Sequence, residues 1–283
     1  MRIIVARHMG FCGGVRRAVE IALRTAEKHH ATYTWGPLIH NPQEVARLEE
    51  AGVRVARRVE ELDGEAFVVS AYGVEEAVLE EARRRGMEIV DATCPVVTRA
   101  HRIAEQLAEE GYFVVAVGDH GHPEMVTLKE KLGDRVAVVH TPEEAARLPL
   151  RGRVAVVSQT TQSMENFRRI VGDVVLRVRE TKVINTLCPA ITIRQEEAER
   201  LVREVDVLLV LGGHHSANTT RLAEIGRRHG RPTYHIETAE ELDPAWFWSG
   251  CTVGVMSGAS TPDWIIQRVL GRLEEIRAAL GPE

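Results

Sequence analysis

Short apolar runs alternate with longer amphipathic segments along the chain, and this alternation occurs three times. The segment GGVRRAVEIALRTAEK has its apolar residues at helical spacing and is followed by the β-rich run TYTWG. The segments PVVTRAHRIAEQLAEEG and YFVVAVG have the same order, and so do PAITIRQEEAERLVREV and DVLLVLG. Strands that alternate with helices predict βαβ units with parallel sheets, so we predict an α/β fold of three similar units.

A cysteine occupies the same position in each of the three copies. Cys12, Cys94 and Cys188 each stand immediately before the amphipathic segment. In every copy a glycine ends the β-rich run 24 residues after the cysteine, and the alignment needs no gap. These glycines are Gly36, Gly118 and Gly212. A cysteine, helix, strand and glycine shared by three copies indicate an internal repeat rather than chance spacing.

Polar residues recur at matching positions later in each copy. Four residues beyond the glycines stand His40, His122 and Ser216, and two positions further come Pro42, Glu124 and Asn218. Each copy later contains a strand that ends in serine, at Ser70, Ser158 and Ser257. Because ligands bind outside the carboxyl ends of parallel strands, we expect these positions to face one site.

The repeat also predicts how the chain is divided. We predict a first α/β unit at 13–95, a second at 96–187 and a third at 188–283, completed by an N-terminal strand within 1–12. Three similar units that each present a functional edge most simply meet around a pseudo-threefold axis. The expected architecture is therefore a trefoil with a central cluster site.

Composition narrows the range of partners. The chain has 283 residues and a net charge of −5, which disfavours nucleic acid and anionic membranes as partners. The longest apolar run, around Val207–Leu211, is far shorter than a membrane span, and the apolar N-terminal stretch is too short for a signal peptide. We therefore expect a cytoplasmic protein with no nucleic-acid or membrane partner.

The cysteines point to metal chemistry. Four cysteines far apart in the sequence argue against a disulfide framework, and the lack of a CxxC pair disfavours an ordinary structural zinc site. Converging thiolates need a metal, and soft sulfur selects zinc, copper(I) or iron–sulfur. One thiolate from each unit suits a [4Fe–4S] cluster whose fourth iron is open to a substrate oxygen. Cys251 falls inside the last predicted strand and is expected in the core.

The polar positions suit an anionic substrate. His40, His122, Ser216 and Asn218 would form a ring of hydrogen-bond donors, and histidine can carry charge near neutral pH, so the ring fits an anion such as diphosphate. Glu124 is the one carboxylate in this ring. Beside a cluster that delivers electrons, a glutamate can deliver protons.

Seven ordered motifs carry a resemblance that covers nearly the whole chain. They are FCGGVRRAV, HNPQEV, DATCPVV, GHPE, SQTT, HSANT and GASTPDW. In this order they resemble the LytB/IspH family of 4-hydroxy-3-methylbut-2-enyl diphosphate reductases. The resemblance implies a trefoil fold, a [4Fe–4S] cluster on Cys12, Cys94 and Cys188, and electrons from a ferredoxin or flavodoxin. It also implies reductive removal of the substrate hydroxyl as water, giving isopentenyl and dimethylallyl diphosphate in the methylerythritol phosphate route to isoprenoids.

The resemblance also implies residue roles. HNPQ and GHPE imply diphosphate contacts for His40 and His122, and GHPE implies a proton donor at Glu124. SQTT implies that Thr160 lies near the reacting hydroxyl. Further diphosphate contacts are implied at Ser216, Asn218 and Ser260.

One position departs from the family pattern. The chain reads SAYGV where the family usually has S-x-H-G-V, so Tyr72 replaces a diphosphate-binding histidine. Tyrosine still donates a hydrogen bond but does not become cationic. Two alternatives stay open: a reductase of the same fold acting on a different small anion, and a non-redox metal-binding protein associated with nucleotides or RNA. The acidic net charge and the absence of a Walker-type GK[ST] loop speak against the second.

Overall fold

Parallel four-stranded sheets occur three times in the computed structural model, which describes residues 1–281. The first contains β2 (Thr32–Trp35), β3 (Val53–Ala56), β4 (Ala66–Val69) and β5 (Glu88–Asp91). The second contains β6 (Phe113–Val117), β7 (Val136–Val139), β8 (Arg153–Ser158) and β9 (Glu180–Val183). The third contains β10 (Val207–Leu211), β11 (Thr233–Ile236), β12 (Thr252–Ser257) and the N-terminal β1 (Arg2–Val5).

The three sheets share one strand order. They run β3-β2-β4-β5, β7-β6-β8-β9 and β11-β10-β12-β1, and all of these pairs are parallel. β1 therefore takes the outer position that β5 and β9 take in the other sheets. The predicted α/β class with three similar parallel units is confirmed.

Helices connect the strands, and the three predicted amphipathic segments are helical. They form α1 (Gly13–Lys28), α4 (Pro95–Glu109) and α8 (Pro189–Glu204). The other α-helices of the described chain are α2 (Pro42–Glu50), α3 (Glu76–Arg84), α5 (Pro123–Leu132), α6 (Pro142–Arg147), α7 (Met164–Val175), α9 (Ala217–Arg228) and α10 (Asp263–Ala279). Several begin with proline, because the first helical turn does not need that N–H. Within residues 1–281, no helix combines the length and apolar character needed to cross a bilayer.

The third sheet illustrates how the core is built. β10 is buried along its whole length, as expected for a parallel strand covered on both faces. Its side chains alternate between faces, so Leu209 packs in one apolar cluster with Val253 and Leu208 packs in another with Met256. Cys251 is 0% exposed and belongs to the cluster of Leu209, as expected for a core residue.

Contacts group the chain into two compact bodies. Body 1 comprises Met1–Arg16, Ile39–Arg47 and Pro189–Glu283, and body 2 comprises Arg17–Leu38 and Leu48–Cys188. Body 1 contains the third sheet, and body 2 contains the first and second sheets. The start of α2 belongs to body 1, although the strands that α2 connects belong to body 2. The predicted boundaries of the three units stay a prediction.

Backbone hydrogen bonds reveal the repeat directly. The glycine after β2, β6 and β10 donates its N–H to the carbonyl that ends the neighbouring strand in each sheet. These bonds join Gly36 to Ala56, Gly118 to Val139 and Gly212 to Ile236, at 2.8, 2.9 and 2.9 Å. The three glycines that align in the sequence therefore occupy equivalent positions in the three sheets.

After the glycine, the alignment of the first copy with the other two copies shifts by one residue. His122 and Ser216 are the N-cap residues of α5 and α9. In the first copy the side-chain Oδ1 of Asn41 accepts the N–H of Glu44 at 2.8 Å, as an N-cap does, so His40 lies one residue before the cap. The gap-free alignment holds up to Gly36 and fails after it, because the first connecting loop is one residue longer.

Candidate functional site

Each candidate cysteine is anchored by its backbone to the segment that follows the third strand of a sheet. The cysteine N–H donates to a carbonyl oxygen in that segment in all three cases. These bonds join Cys12 to Ala259, Cys94 to Ala71 and Cys188 to Thr160, at 3.0, 3.0 and 2.9 Å. The cysteines therefore lie at the carboxyl ends of β12, β4 and β8, where ligands bind in parallel sheets.

The hydrogen bond from each cysteine N–H also defines which residues correspond between the three copies. Ala71 corresponds to Thr160 and Ala259, so Tyr72 corresponds to Ser260. Ser70 lies one residue beyond β4, whereas Ser158 is the last residue of β8. The alignment by terminal serines was therefore wrong by one position in the first copy.

Each candidate cysteine, taken singly, has a partly exposed thiol that is available to bind a soft metal. None of the four cysteines in the described chain forms a disulfide, and the three candidates are partly exposed while Cys251 is buried. Each candidate directly precedes α1, α4 or α8, so each thiol group lies at a helix N-terminus. The N–H of Val15 donates to the Sγ of Cys12 at 3.5 Å. Within residues 1–281, no three Cys, His, Asp or Glu side chains are grouped to hold a single metal ion.

Glu124 is a buried carboxylate held by one threonine. It is 0% exposed and sits in the first turn of α5. The N–H of Thr160 donates to its Oε1 and the Thr160 hydroxyl donates to its Oε2, both at 2.8 Å. Because the carbonyl of Thr160 also accepts the N–H of Cys188, one residue joins the candidate proton donor to a candidate metal ligand.

Two histidines hold the backbone around Glu124. The Nδ1 of His122 accepts the N–H of Glu124 at 3.2 Å, and the Nε2 of His101 lies 2.9 Å from the Glu124 carbonyl, to which it donates. Burial, aided by the charge of Lys131, lowers the pKa of His101 to about 4. His101 is therefore a neutral imidazole at neutral pH, and it fixes α5 without adding charge.

Body 2 also brings Tyr72 and His122 together. Their rings meet edge to face, with centroids 5.3 Å apart and planes at 79°. His122 is 8% exposed and Tyr72 is partly exposed. Two side chains predicted to contact diphosphate are thus neighbours, although they come from different sheets.

Body 1 contains the other predicted diphosphate ligands. The Oγ of Ser260 donates to the carbonyl of His40 at 3.1 Å. Gly213 packs so closely on the same carbonyl that a Cβ atom there would lie 2.5 Å from the oxygen. The loop of His40 is therefore held between the segment after β12 and the segment after β10.

Asn218 has a buried side chain that lacks hydrogen bonds. It is 3% exposed, and neither its Nδ2 nor its Oδ1 has a partner among the described residues. Buried amides are normally paired, so an amide of this kind marks a position where a polar ligand or water completes the bonding. Ser216, two residues earlier, caps α9 by accepting the N–H of Thr219 at 3.4 Å.

His40 differs from the sequence expectation in its charge. Burial lowers its pKa to about 4, with a smaller contribution from the nearby His215. His40 is therefore neutral at pH 7, whereas the sequence suggested a histidine that carries charge near neutral pH. A neutral imidazole in this position acts as a hydrogen-bonding group.

Sequence reasoning missed the contact that supports the His40 loop. The indole Nε1 of Trp264 donates to the Oε2 of Glu44 at 3.0 Å, and Glu44 is 0% exposed. Glu44 belongs to the motif HNPQEV and Trp264 to GASTPDW, so both motifs drew attention to these stretches. Nothing in either motif indicates that the two residues touch.

Comparison with known proteins points to one family. The model of the family described as LytB protein matches residues 3–274. A 4-hydroxy-3-methylbut-2-enyl diphosphate reductase of Pelobacter propionicus is 48% identical over 276 residues, covering 98% of this chain and 99% of that protein. The protein of the same name from Aquifex aeolicus is 45% identical over 278 residues, covering 97% and 96%.

Solved structures are similar as well. A structure of (E)-4-hydroxy-3-methyl-but-2-enyl diphosphate reductase, described as the terminal enzyme of the non-mevalonate pathway, is 44% identical with a TM-score of 0.68, covering 97% of this chain and 100% of that chain. The E-1-hydroxy-2-methyl-but-2-enyl-4-diphosphate reductase of Plasmodium falciparum is 23% identical with a TM-score of 0.89, covering 95% and 87%. At that identity the second likeness concerns the fold alone.

Proposed function

The chain belongs to the LytB protein family, and from this membership we propose that it is a 4-hydroxy-3-methylbut-2-enyl diphosphate reductase. It would remove the allylic hydroxyl of its substrate as water and form isopentenyl and dimethylallyl diphosphate. The reaction consumes two electrons and two protons for each C–O bond broken. The observation that carries the proposal is the triple contact of Thr160, which bonds both oxygens of the buried Glu124 and the backbone of Cys188.

Three cysteines are the proposed ligands of the cofactor. Cys12, Cys94 and Cys188 would hold a [4Fe–4S] cluster, since all three are partly exposed, precede helix N-termini and have the same backbone anchor. When bound, such a cluster supplies electrons and a Lewis-acidic iron for the substrate hydroxyl. Cys251 is excluded from the ligand set because it is 0% exposed within an apolar cluster.

Glu124 is the proposed proton donor. Its carboxyl group would hold a proton and release it where the C–O bond breaks, and its burial keeps bulk water from exchanging that proton. Thr160 would orient both carboxylate oxygens and present its hydroxyl to the substrate hydroxyl. His101 would act as a positioning residue, because it donates a hydrogen bond to the backbone carbonyl of Glu124.

A set of six polar side chains is the proposed diphosphate site. Asn218 supports this proposal most strongly, since its buried amide has no partner among the described residues. Neutral His40 would contribute a hydrogen bond, and the hydroxyl of Tyr72 would take the place of the histidine usual in the family. The six residues are His40, Tyr72, His122, Ser216, Asn218 and Ser260.

The electrons must come from outside the chain. We propose a ferredoxin or flavodoxin as the donor, since the cluster would pass electrons singly while the substrate takes two. We also propose a cytoplasmic location, because cysteine thiolates that bind a cluster require a reducing compartment.

An anaerobic product assay tests the proposed function. Protein purified without oxygen and supplied with excess reduced methyl viologen should convert the hydroxylated diphosphate into both isoprenoid diphosphates, with iron content measured on the same sample. Glu124→Gln, prepared in parallel, is the control for product formed without the proton donor. If the wild-type protein contains its full iron complement and yields neither product, the proposal is wrong.

A further inference from the structure

An open cleft of about 380 Å³ lies beside Cys94 in body 2. Both neighbours of Cys94 in the chain, Thr93 and Pro95, line it. The cleft continues along α4 and also includes Arg17 from α1. A surface depression therefore adjoins one of the proposed cluster ligands.

The cleft is basic on a protein whose net charge is −5. Three guanidinium groups line it, from Arg17, Arg99 and Arg102, against the single carboxylate of Asp91. Arg99 and Arg102 are exposed, and neither is in an ion pair within the described chain. The positive charges of these two arginines are thus available to a partner.

Backbone carbonyl groups next to Cys94 hold the guanidinium group of Arg17 in the cleft. Its Nη1 donates to the carbonyl of Thr93 at 3.1 Å, and its Nη2 lies 3.4 Å from the carbonyl of Asp91. The Thr93 carbonyl is bonded covalently to the nitrogen of Cys94. A group that contacts Arg17 is therefore separated from the cysteine by one hydrogen bond and one peptide unit.

We propose that this cleft is the docking surface of the acidic redox protein that supplies the electrons, an inference that rests on the proposed function. Arg99 and Arg102 lie three residues apart on one face of α4, and the partly buried Ile103 and exposed Pro95 add apolar surface to the cleft. A small apolar area with a charged rim is typical of weak electron-transfer interfaces. Acidic side chains on the donor complement the rim.

The charge distribution favours a protein over a small anion. The arginines are solvent-exposed, so each single contact with a small ion is screened and weak. Several exposed charges of one sign instead steer an oppositely charged protein surface and accelerate its encounter. Each docking event would oxidise one donor molecule by one electron, and two events supply the two electrons that the substrate takes up.

Charge reversal tests the proposal. In the double variant Arg99→Glu/Arg102→Glu, kcat/KM for reduced plant-type ferredoxin should fall about tenfold at low salt, and its dependence on ionic strength should flatten. The rate with reduced methyl viologen, a small one-electron reductant, should stay within about twofold of wild type. Arg99→Lys/Arg102→Lys should retain most of the ferredoxin rate, since charge and not guanidinium geometry is required.

A second pair of exposed arginines, on α7, provides a matched control for charge reversal. Arg168→Glu/Arg169→Glu reverses two exposed arginines on α7 and should leave both rates unchanged. Docking at this cleft is ruled out if the ferredoxin rate of Arg99→Glu/Arg102→Glu equals that of wild type, or if its viologen rate falls equally. Failure of the wild-type protein to form product with methyl viologen would instead count against the proposed function itself.

Discussion

Trp264 donates a hydrogen bond from its indole Nε1 to the Oε2 of Glu44 over 3.0 Å, across 220 positions of sequence. The other oxygen of this fully buried carboxylate accepts a hydrogen bond from Arg47 at 3.0 Å. The pair attaches the first turn of α2 to the start of α10 within body 1. Because His40 lies just before α2, this contact helps to position that histidine, together with the contacts of Ser260 and Gly213 on the His40 carbonyl.

Removing the indole donor should therefore weaken both stability and substrate binding. In Trp264→Phe the buried Oε2 of Glu44 loses its partner, which should lower the free energy of unfolding by about 1–3 kcal/mol. The displaced His40 loop should raise KM for the diphosphate more than it lowers kcat. Urea unfolding and steady-state kinetics under anaerobic conditions measure these effects. Trp248→Phe, at a 50% exposed tryptophan, is the control, and equal effects in both variants would contradict a positioning role.

Glu124→Gln should slow turnover by about 10²–10⁴-fold, because an amide cannot supply the proton. Iron content and substrate affinity should remain near wild type, since the glutamine side chain preserves the shape of the carboxylate. Single-turnover product formation and equilibrium substrate binding separate the two quantities. Thr160→Ser, which retains a hydroxyl to donate to Glu124, should be far less impaired. Near-normal turnover in Glu124→Gln would remove the proposed role.

Cys94→Ser should lose or destabilise the cluster, whereas Cys251→Ser should retain it. Cys94 is partly exposed at the start of α4, while Cys251 is enclosed in the core of body 1. Iron and sulfide analysis of anaerobically purified protein compares the variants directly. Equal iron content in both would show that the ligand set is wrong.

Tyr72→His should be tolerated and should not raise KM for the diphosphate. The ring of Tyr72 lies edge to face with His122, and a histidine there restores the residue type usual in the family. Tyr72→Phe keeps the ring contact but removes the hydroxyl, so its KM should rise. Steady-state kinetics on both variants provide the comparison, and complete inactivity of Tyr72→His would mean that the tyrosine has a task of its own.

Stability should fall as the pH decreases from 6.5 towards 4, partly because of His101. Its pKa of about 4 in the folded protein is below the value of 6.5 that it has when exposed, so only the unfolded chain binds a proton between these values. This histidine is thus expected to remove about 1 kcal/mol of stability between pH 7 and pH 5.5.

His101→Gln isolates that contribution. Glutamine can still donate to the Glu124 carbonyl but does not titrate, so the variant should lose less stability over this interval than wild type. Urea unfolding at the two pH values, with His30→Gln as an exposed control, measures the difference. An unchanged pH dependence in His101→Gln would contradict the burial of a neutral imidazole.

Local pattern was sufficient to predict the α/β class with three similar parallel units, and it singled out three cysteines as candidate ligands. Apolar spacing predicted α1, α4 and α8, and the distance from cysteine to glycine predicted a register that backbone hydrogen bonds reproduce. Helices and strands can be predicted from one sequence because their periodicities depend on neighbours only a few residues away. The roles of the site residues came from the family motifs and stay predictions.

Tertiary contacts decided the remaining features. The one-residue slip before α2 shows only in the capping bond from the Glu44 N–H to Asn41, and the contact of Glu44 with Trp264 joins residues that no local pattern relates. The neutral state of His40 follows from its burial, which is a property of the packed chain. These features depend on groups that folding brings together from distant parts of the sequence, so periodicity and motif spacing carry no information about them.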